Sequence, residues 1–195
     1  MKHEFRAVAE QRVDDDARII EGYAALFGSR SVNLGGFVEV IERGAFARSL
    51  ESGEQIFAYW NHNSDFVLGS TRSRTLQLAE DDKGLRFRLD VGRLTEQQLA
   101  AVRDGDMRMS FGFGVRKGGD DWDDTGEVPL RTLRDVALFE VSPVSTPAYE
   151  DTSAALRSLE DAKAKAEAEA ERKQHDQQGY LKRKAETDQK VRGIR

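Results

Sequence analysis

Two stretches of the chain alternate apolar and polar residues with a period of two. The first runs from Leu76 to Val91 across the turn-forming residues Asp81–Gly84, and the second runs from Met107 to Val115. A period of two places successive side chains on opposite faces of a β-strand, whereas a helical face repeats every 3.6 residues. The first stretch therefore predicts a β-hairpin and the second predicts a strand with one face in the core, which makes a mainly β fold the expectation.

Shorter segments add strands and helices to this expectation. Segments rich in β-branched and aromatic residues predict strands over residues 17–27, 36–41 and 55–60. One helix is predicted over residues 44–50, and a second is predicted after Thr95, which has capping-box spacing to Gln98.

The composition changes after about residue 150. Residues 151–195 hold 11 Lys and Arg against 9 Asp and Glu, whereas the whole chain has 30 against 35 and a net charge of -5. This tail is rich in Ala, Lys and Glu and poor in large apolar residues, so it predicts a helical or disordered extension with little to bury. We therefore divide the chain into a domain at residues 1–152 and a charged helical tail at residues 153–195.

Composition also excludes several kinds of chemistry. The 195 residues include no Cys, which removes disulfides, Cys-bound metals and a Cys nucleophile. The acidic segment 118–126 is predicted to be a solvated loop, since it lacks the register of a calcium-binding EF-hand. We expect no cofactor and no metal.

Charge and hydropathy argue against two classes of partner. A net charge of -5 gives no general attraction to phosphates, and the basic run Lys182–Lys184 is too short to change this, so nucleic-acid binding is not expected. No apolar run is long enough to span a membrane, and the N-terminus lacks the apolar region of a signal peptide. We therefore expect an intracellular, soluble protein.

His62 is the one histidine placed to act as a base. His3 lies at the terminus and His175 in the polar tail, whereas His62 follows an apolar strand in Trp60-Asn61-His62-Asn63. A histidine at a strand end is also commonly a hydrogen-bonded structural residue, and the sequence leaves both interpretations open.

Ser110 lies within the second alternating stretch, on the strand face that it shares with Gly112 and Gly114. Because glycine has no side chain, the surface beside the Ser110 hydroxyl is expected to be open, and an extended peptide lying there would bring a carbonyl carbon near it. Glycines that curve a barrel strand would give the same pattern.

Glu140 is a carboxylate within an apolar strand, Val136–Val141, which a Ser-Pro turn at Ser142 is predicted to end. A charge in such a strand needs a partner or solvent. A histidine that becomes cationic during catalysis would serve, and so would an arginine in a structural ion pair.

Taken together, these segments resemble the prohead maturation proteases of tailed phages, a family related to the herpesvirus assemblin serine proteases. The resemblance covers roughly residues 3–152, and it rests on the joint occurrence of five segments. These are residues 22–28 (GYAALFG), 42–46 (ERGAF), 61–63 (NHN) with Leu68-Gly69, 109–113 (MSFGF) and 140–144 (EVSPV).

The resemblance implies a β-barrel with a few surrounding helices and a catalytic set drawn from three segments. It assigns His62 as the general base and Ser110 as the nucleophile, and it matches Glu140 to the third member of the triad. The assemblin relatives use a second histidine in that third role, and this chain has none near the motif, so Asp65 and Asp135 remain alternatives.

By the same resemblance the chain is expected to be a serine endopeptidase of phage capsid maturation. Its substrates would be the scaffold protein or the scaffold domain of the major capsid protein, and also the protease itself. It would act in the host cytoplasm, inside the immature capsid, and an oligomer is possible. The alternative is a non-enzymatic β-barrel component that binds capsid or scaffold and cleaves nothing.

Overall fold

The computed structural model describes residues 3–8, 10–14, 18–145, 163–164 and 167–179. Up to residue 145 the described chain contains twelve strands and two helices. The strands, in chain order, are β1 (Glu4–Val8), β2 (Glu10–Asp14), β3 (Ile19–Leu26), β4 (Val38–Ile41), β5 (Phe57–Trp60), β6 (Asn63–Ser70), β7 (Leu76–Glu80), β8 (Gly84–Asp90), β9 (Arg108–Val115), β10 (Asp120–Asp123), β11 (Leu130–Leu133) and β12 (Val136–Val144). The helices are α1 (Ala47–Glu51) and α2 (Glu96–Arg103).

These strands form three sheets, and the mainly β prediction is confirmed. A five-stranded sheet has the order β1-β9-β12-β5-β6, a four-stranded sheet has the order β2-β3-β8-β7, and a three-stranded sheet has the order β10-β11-β4. Neighbouring strands are antiparallel except for β12 with β5 and β11 with β4, which are parallel. The five-stranded sheet brings together β9, β12 and the β5–β6 hairpin, which carry the predicted site residues.

The predicted hairpin is confirmed as β7 and β8. Leu76 pairs with Leu89 and Leu78 with Phe87, as the period-two pattern requires. The Asp81 carboxylate accepts the backbone N–H of Lys83 at 2.8 Å and closes the turn, as Asp side chains commonly do.

Both predicted helices are present, although α1 is shorter than expected. Thr95 and Gln98 form the predicted capping box at the start of α2. Gly105 follows α2 with φ +83°, and its N–H bonds to the carbonyl of Val102, which is how glycine ends a helix. Helix α1 begins at Ala47 rather than at Gly44, whose φ of +89° lies outside the helical region.

Two predictions about loops are wrong. The acidic segment is not a loop throughout, because β10 pairs with β11 and the carboxylate of Asp120 accepts a hydrogen bond from the Arg131 guanidinium at 2.9 Å. Ser142 and Pro143 do not end a strand either, since β12 continues through both to Val144. Pro143 lacks an N–H, but the parallel pairing with β5 covers only residues 140 and 141, so no hydrogen bond of that ladder is lost.

Strand β9 lies between β1 and β12 in the five-stranded sheet and contributes one face to the core. Met109, Phe111 and Phe113 are fully buried, and the rings of Phe111 and Phe113 are stacked at 5.2 Å. The alternation predicted for this strand therefore places its apolar side chains in the core, as expected. Ser110 and Gly112 lie on the other face of the same strand.

A buried cluster of charges joins β1, β4 and β11. The Arg131 guanidinium donates to a carboxylate oxygen of Glu4 at 2.7 Å and to one of Glu39 at 3.2 Å, and all three residues are only 3% exposed. Arg6 also bonds to Glu39, at 2.7 Å. Burial lowers the pKa of Arg131, but its hydrogen bond with Glu4 and the charges of Glu39 and Asp120 outweigh this and raise it above its usual value, so it stays charged.

The chain divides into two compact units, Met1–Leu156 and Arg157–Arg195. In the second unit, residues 163–164 and 167–179 are helical, as the Ala/Lys/Glu composition predicts, and the remainder of the predicted tail helix lies outside the described residues. Among the residues that the structure describes, no helix is long and apolar enough to cross a membrane.

Candidate active site

His62 lies at the tip of the β5–β6 hairpin. Trp60 pairs with Asn63, so Asn61 and His62 form a two-residue loop, and their φ angles are +51° and +59°. Tight hairpin loops of this kind require positive φ at both positions, a conformation that asparagine tolerates and that histidine adopts rarely. The loop therefore holds His62 in a backbone conformation that the surrounding contacts have to stabilise.

Asn61 fastens this loop to the end of β12. Its backbone N–H bonds to the carbonyl of Pro143 at 3.0 Å, and its side-chain oxygen accepts the N–H of Ser145 at 3.0 Å. Because both contacts are to the same strand end, the hairpin tip is fixed relative to β12, which carries Glu140.

Glu140 reaches the site through an irregularity in β12. Leu138 pairs with Phe113 and Glu140 pairs with Gly112, so Phe139 is an extra residue between them. Without this bulge, a period of two would place Glu140 on the core face with Leu138. The bulge instead turns the Glu140 carboxylate to the opposite face of the sheet, over Gly112.

The two carboxylate oxygens of Glu140 have separate partners. Oε1 lies 2.5 Å from Nδ1 of His62, and Oε2 accepts a hydrogen bond from the hydroxyl of Ser142. Glu140 is only 5% exposed, so both contacts are largely shielded from water. Of the two partners that the sequence allowed for this carboxylate, the structure therefore provides the histidine.

Aromatic rings surround the Glu140–His62 pair. The Phe5 ring lies 4.3 Å from the His62 ring, and Phe57, which pairs in register with Glu140, stacks on Tyr59 at 5.4 Å. Burial, together with the negative charge of Glu140, raises the pKa of Tyr59. The rings and the sheet therefore place the imidazole and carboxylate in surroundings of low polarity, where their mutual interaction is stronger than in water.

Ser110 lies on the same face of the sheet as this pair. It pairs with Ser142 of β12, and Gly112, two residues further along β9, pairs with Glu140. Paired residues of antiparallel strands share a face, as do residues two apart on one strand. The side chains of Ser110, Ser142 and Glu140 thus lie on one face of β9 and β12, and His62 contacts Glu140 on that face.

Two atoms of this group lack partners. Nε2 of His62 and Oγ of Ser110 are buried and make no hydrogen bond among the described residues, so they are not bonded to each other either. Buried polar atoms are nearly always hydrogen-bonded, and each exception calls for an explanation. One explanation is catalysis, since the hydrogen bonds of a catalytic group are often long before substrate binds.

The surface beside Ser110 is not open, contrary to the expectation from its glycines. Ser110 is fully buried, and a Cβ added to Gly112 would lie 2.6 Å from Oε1 of Glu140 and 2.9 Å from the Phe5 ring. Gly112 therefore makes room for the carboxylate that contacts His62. A substrate groove along Gly112 and Gly114 remains a prediction.

The two alternatives to Glu140 lie elsewhere. Asp135 contacts the guanidinium groups of Arg48 and Arg116, each at 3.2 Å. Asp65 has an exposed side chain, and its N–H bonds to the side-chain oxygen of Asn63 at 2.9 Å. Neither carboxylate bonds to His62 as Glu140 does.

Sequence reasoning gave no role to Ser142, Phe5 or Asn61. Ser142 carried a weak signal, since it lies two residues after Glu140 and two apart is the spacing of one strand face. No signal indicated Phe5, which reaches His62 only because β1 pairs with β9.

One of the three comparisons with known proteins gave a match. A family model described as Caudovirus prohead serine protease matches residues 6–166. The chain belongs to that family. Comparison with curated proteins gave no match, and comparison with solved structures gave none. Membership of the prohead protease family supports a role in capsid maturation, and the matched range includes β9, β12 and the β5–β6 hairpin.

Proposed function

We propose that the chain is a serine endopeptidase in which Ser110 is the nucleophile, His62 the general base and Glu140 the group that orients the imidazole. One observation carries the proposal. The Nδ1 side of His62 is bonded to Glu140, while Nε2 has no partner and lies buried on the sheet face that also carries the unpartnered hydroxyl of Ser110.

The proposed reaction is acyl transfer at a peptide bond. The neutral His62 keeps its proton on Nδ1, where the N–H donates a hydrogen bond to Glu140. The free lone pair on Nε2 then takes the proton of Ser110 as Oγ attacks the carbonyl carbon. The imidazolium then gives this proton to the leaving amine, and an acyl-enzyme is left on Ser110. His62 next deprotonates a water molecule as it attacks the ester carbon, and it gives that proton to Oγ of Ser110 when the ester bond breaks. The Glu140 carboxylate stabilises the imidazolium in each half-reaction.

The proposed substrates are the scaffold protein or the scaffold domain of the major capsid protein, and the protease itself. Family membership supports substrates of this kind. The site of action would be the interior of the immature capsid in the host cytoplasm. The charged tail at residues 153–195 would tether the enzyme to scaffold and be trimmed after assembly, which an intact C-terminus in mature capsids would contradict.

The test uses a fluorophosphonate probe, which acylates activated serines and needs no knowledge of the natural substrate. Full-length protein should be labelled at Ser110, as located by mass spectrometry, and Ser110→Ala should abolish the label. In co-expression with the capsid and scaffold proteins, Ser110→Ala and His62→Ala should each lower cleavage by roughly 10⁴- to 10⁶-fold. Cleavage at an unchanged rate in Ser110→Ala would refute the proposal.

The second candidate is a non-enzymatic capsid component that binds scaffold through the same domain. It predicts no labelling and no cleavage by the wild-type chain, with capsid assembly unchanged in Ser110→Ala. The buried, unpartnered hydroxyl beside the Glu140–His62 pair favours the enzyme, because a purely structural sheet gains nothing from leaving such a group unbonded.

A further inference from the structure

Ser142 lies in the candidate active site, but the roles proposed for Ser110, His62 and Glu140 give it no function. Its hydroxyl is fully buried and donates to Oε2 of Glu140, the oxygen that does not contact His62. Ser142 is also the pairing partner of Ser110, so the nucleophile and this second serine lie side by side on adjacent strands.

If one oxygen of a buried carboxylate lacked a hydrogen bond, the free energy of unfolding would be lower and the carboxylate could rotate about its bond. Glu140 is only 5% exposed, so little water reaches Oε2, and the Ser142 hydroxyl donates to that oxygen instead. A hydroxyl that donates to Oε2 stabilises the ionised form, since hydrogen bonds to charged groups are stronger than those between neutral groups. It also opposes rotation of the carboxylate plane, and so keeps Oε1 directed at Nδ1 of His62.

The contact between Ser142 and Glu140 follows from the backbone geometry of β12. Glu140 and Ser142 are two residues apart in β12, after the bulge at Phe139, and therefore share one face. The irregularity that turns Glu140 away from the core thus turns Ser142 with it.

We propose that Ser142 is a positioning residue, which acts on His62 through Glu140 and fixes the carboxylate that orients the imidazole. This inference rests on the proposed function. Ser142 is not expected to touch the substrate, so its removal should lower kcat and leave KM nearly unchanged. Because Ser142 would act through Glu140, the loss of rate on removing the Ser142 hydroxyl should depend on the presence of the Glu140 carboxylate.

The experiment measures the rate of fluorophosphonate labelling and the cleavage of purified capsid–scaffold precursor by full-length variants. Ser142→Ala should lower the labelling rate and kcat by about 10- to 100-fold, the range for a hydrogen bond to a charged group. Ser142→Thr retains the hydroxyl and should restore most of the rate. Ser70→Ala, which removes another buried serine hydroxyl on β6, is the matched control and should label at the wild-type rate.

A double-mutant cycle separates positioning from a general loss of structure. If Ser142 acts through Glu140, Ser142→Ala should cost little more in a Glu140→Gln background, whereas independent effects would multiply. Thermal unfolding of each variant shows whether it is folded. Full additivity, or a wild-type rate in folded Ser142→Ala, would overturn the inference.

The two proposals fail in different ways. If wild-type protein is labelled at Ser110 and Ser142→Ala is equally fast, the positioning role is wrong and the proposed function stands. If the label is found on Ser142 instead, both the positioning role and the choice of nucleophile are wrong. If wild-type protein is neither labelled nor able to cleave the precursor, the proposed function fails and the positioning role fails with it.

Discussion

The substitution Gly112→Ala tests whether the position of Glu140 controls the proposed chemistry. An added Cβ would lie 2.6 Å from Oε1 of Glu140, whereas ordinary contact begins at 3.4 Å, so the carboxylate has to move by about 0.8 Å. The Phe5 ring, at 2.9 Å from the same Cβ, crowds the new methyl group as well, and this ring also contacts the His62 ring. The main effect should therefore fall on the 2.5 Å contact between Glu140 and His62.

A displacement of this size is large for a catalytic group. Misplacement by about 1 Å can cost roughly 100-fold in rate, so we expect kcat to fall by about 100-fold with a much smaller change in KM. Overpacking should also lower the free energy of unfolding by about 1–3 kcal/mol. The fall in kcat is to be measured with purified precursor, and the loss of stability by chemical denaturation.

The control is Gly126→Ala, where an added Cβ would meet only the carbonyl of Val128, at an ordinary 3.6 Å. Both its kcat and its stability should match those of the wild type. A folded Gly112→Ala protein with normal kcat would refute the reasoning. A raised KM with normal kcat would instead favour the interpretation of Gly112 as part of a substrate groove.

Two further predictions concern stability. Burial raises the pKa of Glu80, although the hydrogen bond that its carboxylate accepts from the Phe46 N–H opposes this. Folding therefore favours the protonated form of Glu80. The free energy of unfolding should accordingly fall as pH rises above the usual range of a Glu pKa. Glu80→Gln keeps the acceptor and should raise the melting temperature at pH 7, with a gain that disappears below about pH 4; a gain that persists in acid would contradict this. Arg131→Met leaves the buried carboxylates of Glu4 and Glu39 with less compensation and should lower the free energy of unfolding by about 3–5 kcal/mol. A denaturation midpoint within error of the wild type would show that Arg6 alone satisfies both carboxylates.

Much of the fold could be predicted because local pattern and tertiary burial agree. The alternation in Leu76–Val91 and Met107–Val115 corresponds to β7, β8 and β9, and the capping box after Thr95 begins α2. In β7, β8 and β9 the side-chain period identifies the element, and in α2 the capping box does. Segment 118–126 was predicted wrongly, because β10 exists only through its pairing with β11 and its bond to Arg131.

The sequence predicted which residues could form the candidate site, but it did not predict which of them are in contact. His62, Ser110 and Glu140 were candidates because one histidine followed an apolar strand, one serine lay between core residues, and one carboxylate interrupted an apolar run. Their roles came from the resemblance to the prohead proteases, since the patterns alone left structural interpretations open. None of these patterns contains the contact between Glu140 and His62, which are 78 positions apart in the chain.

The sequence by itself therefore determined β7, β8 and β9, the capping of α2 and the groups able to do acyl-transfer chemistry. Only the tertiary structure decided the direction in which Glu140 points. A strict period of two assigns Glu140 to the core face with Leu138, and the bulge at Phe139 reverses this, because one extra residue moves every later side chain to the opposite face. Such a bulge forms through the register of β12 on β9, and register is a property of paired strands that no single segment encodes.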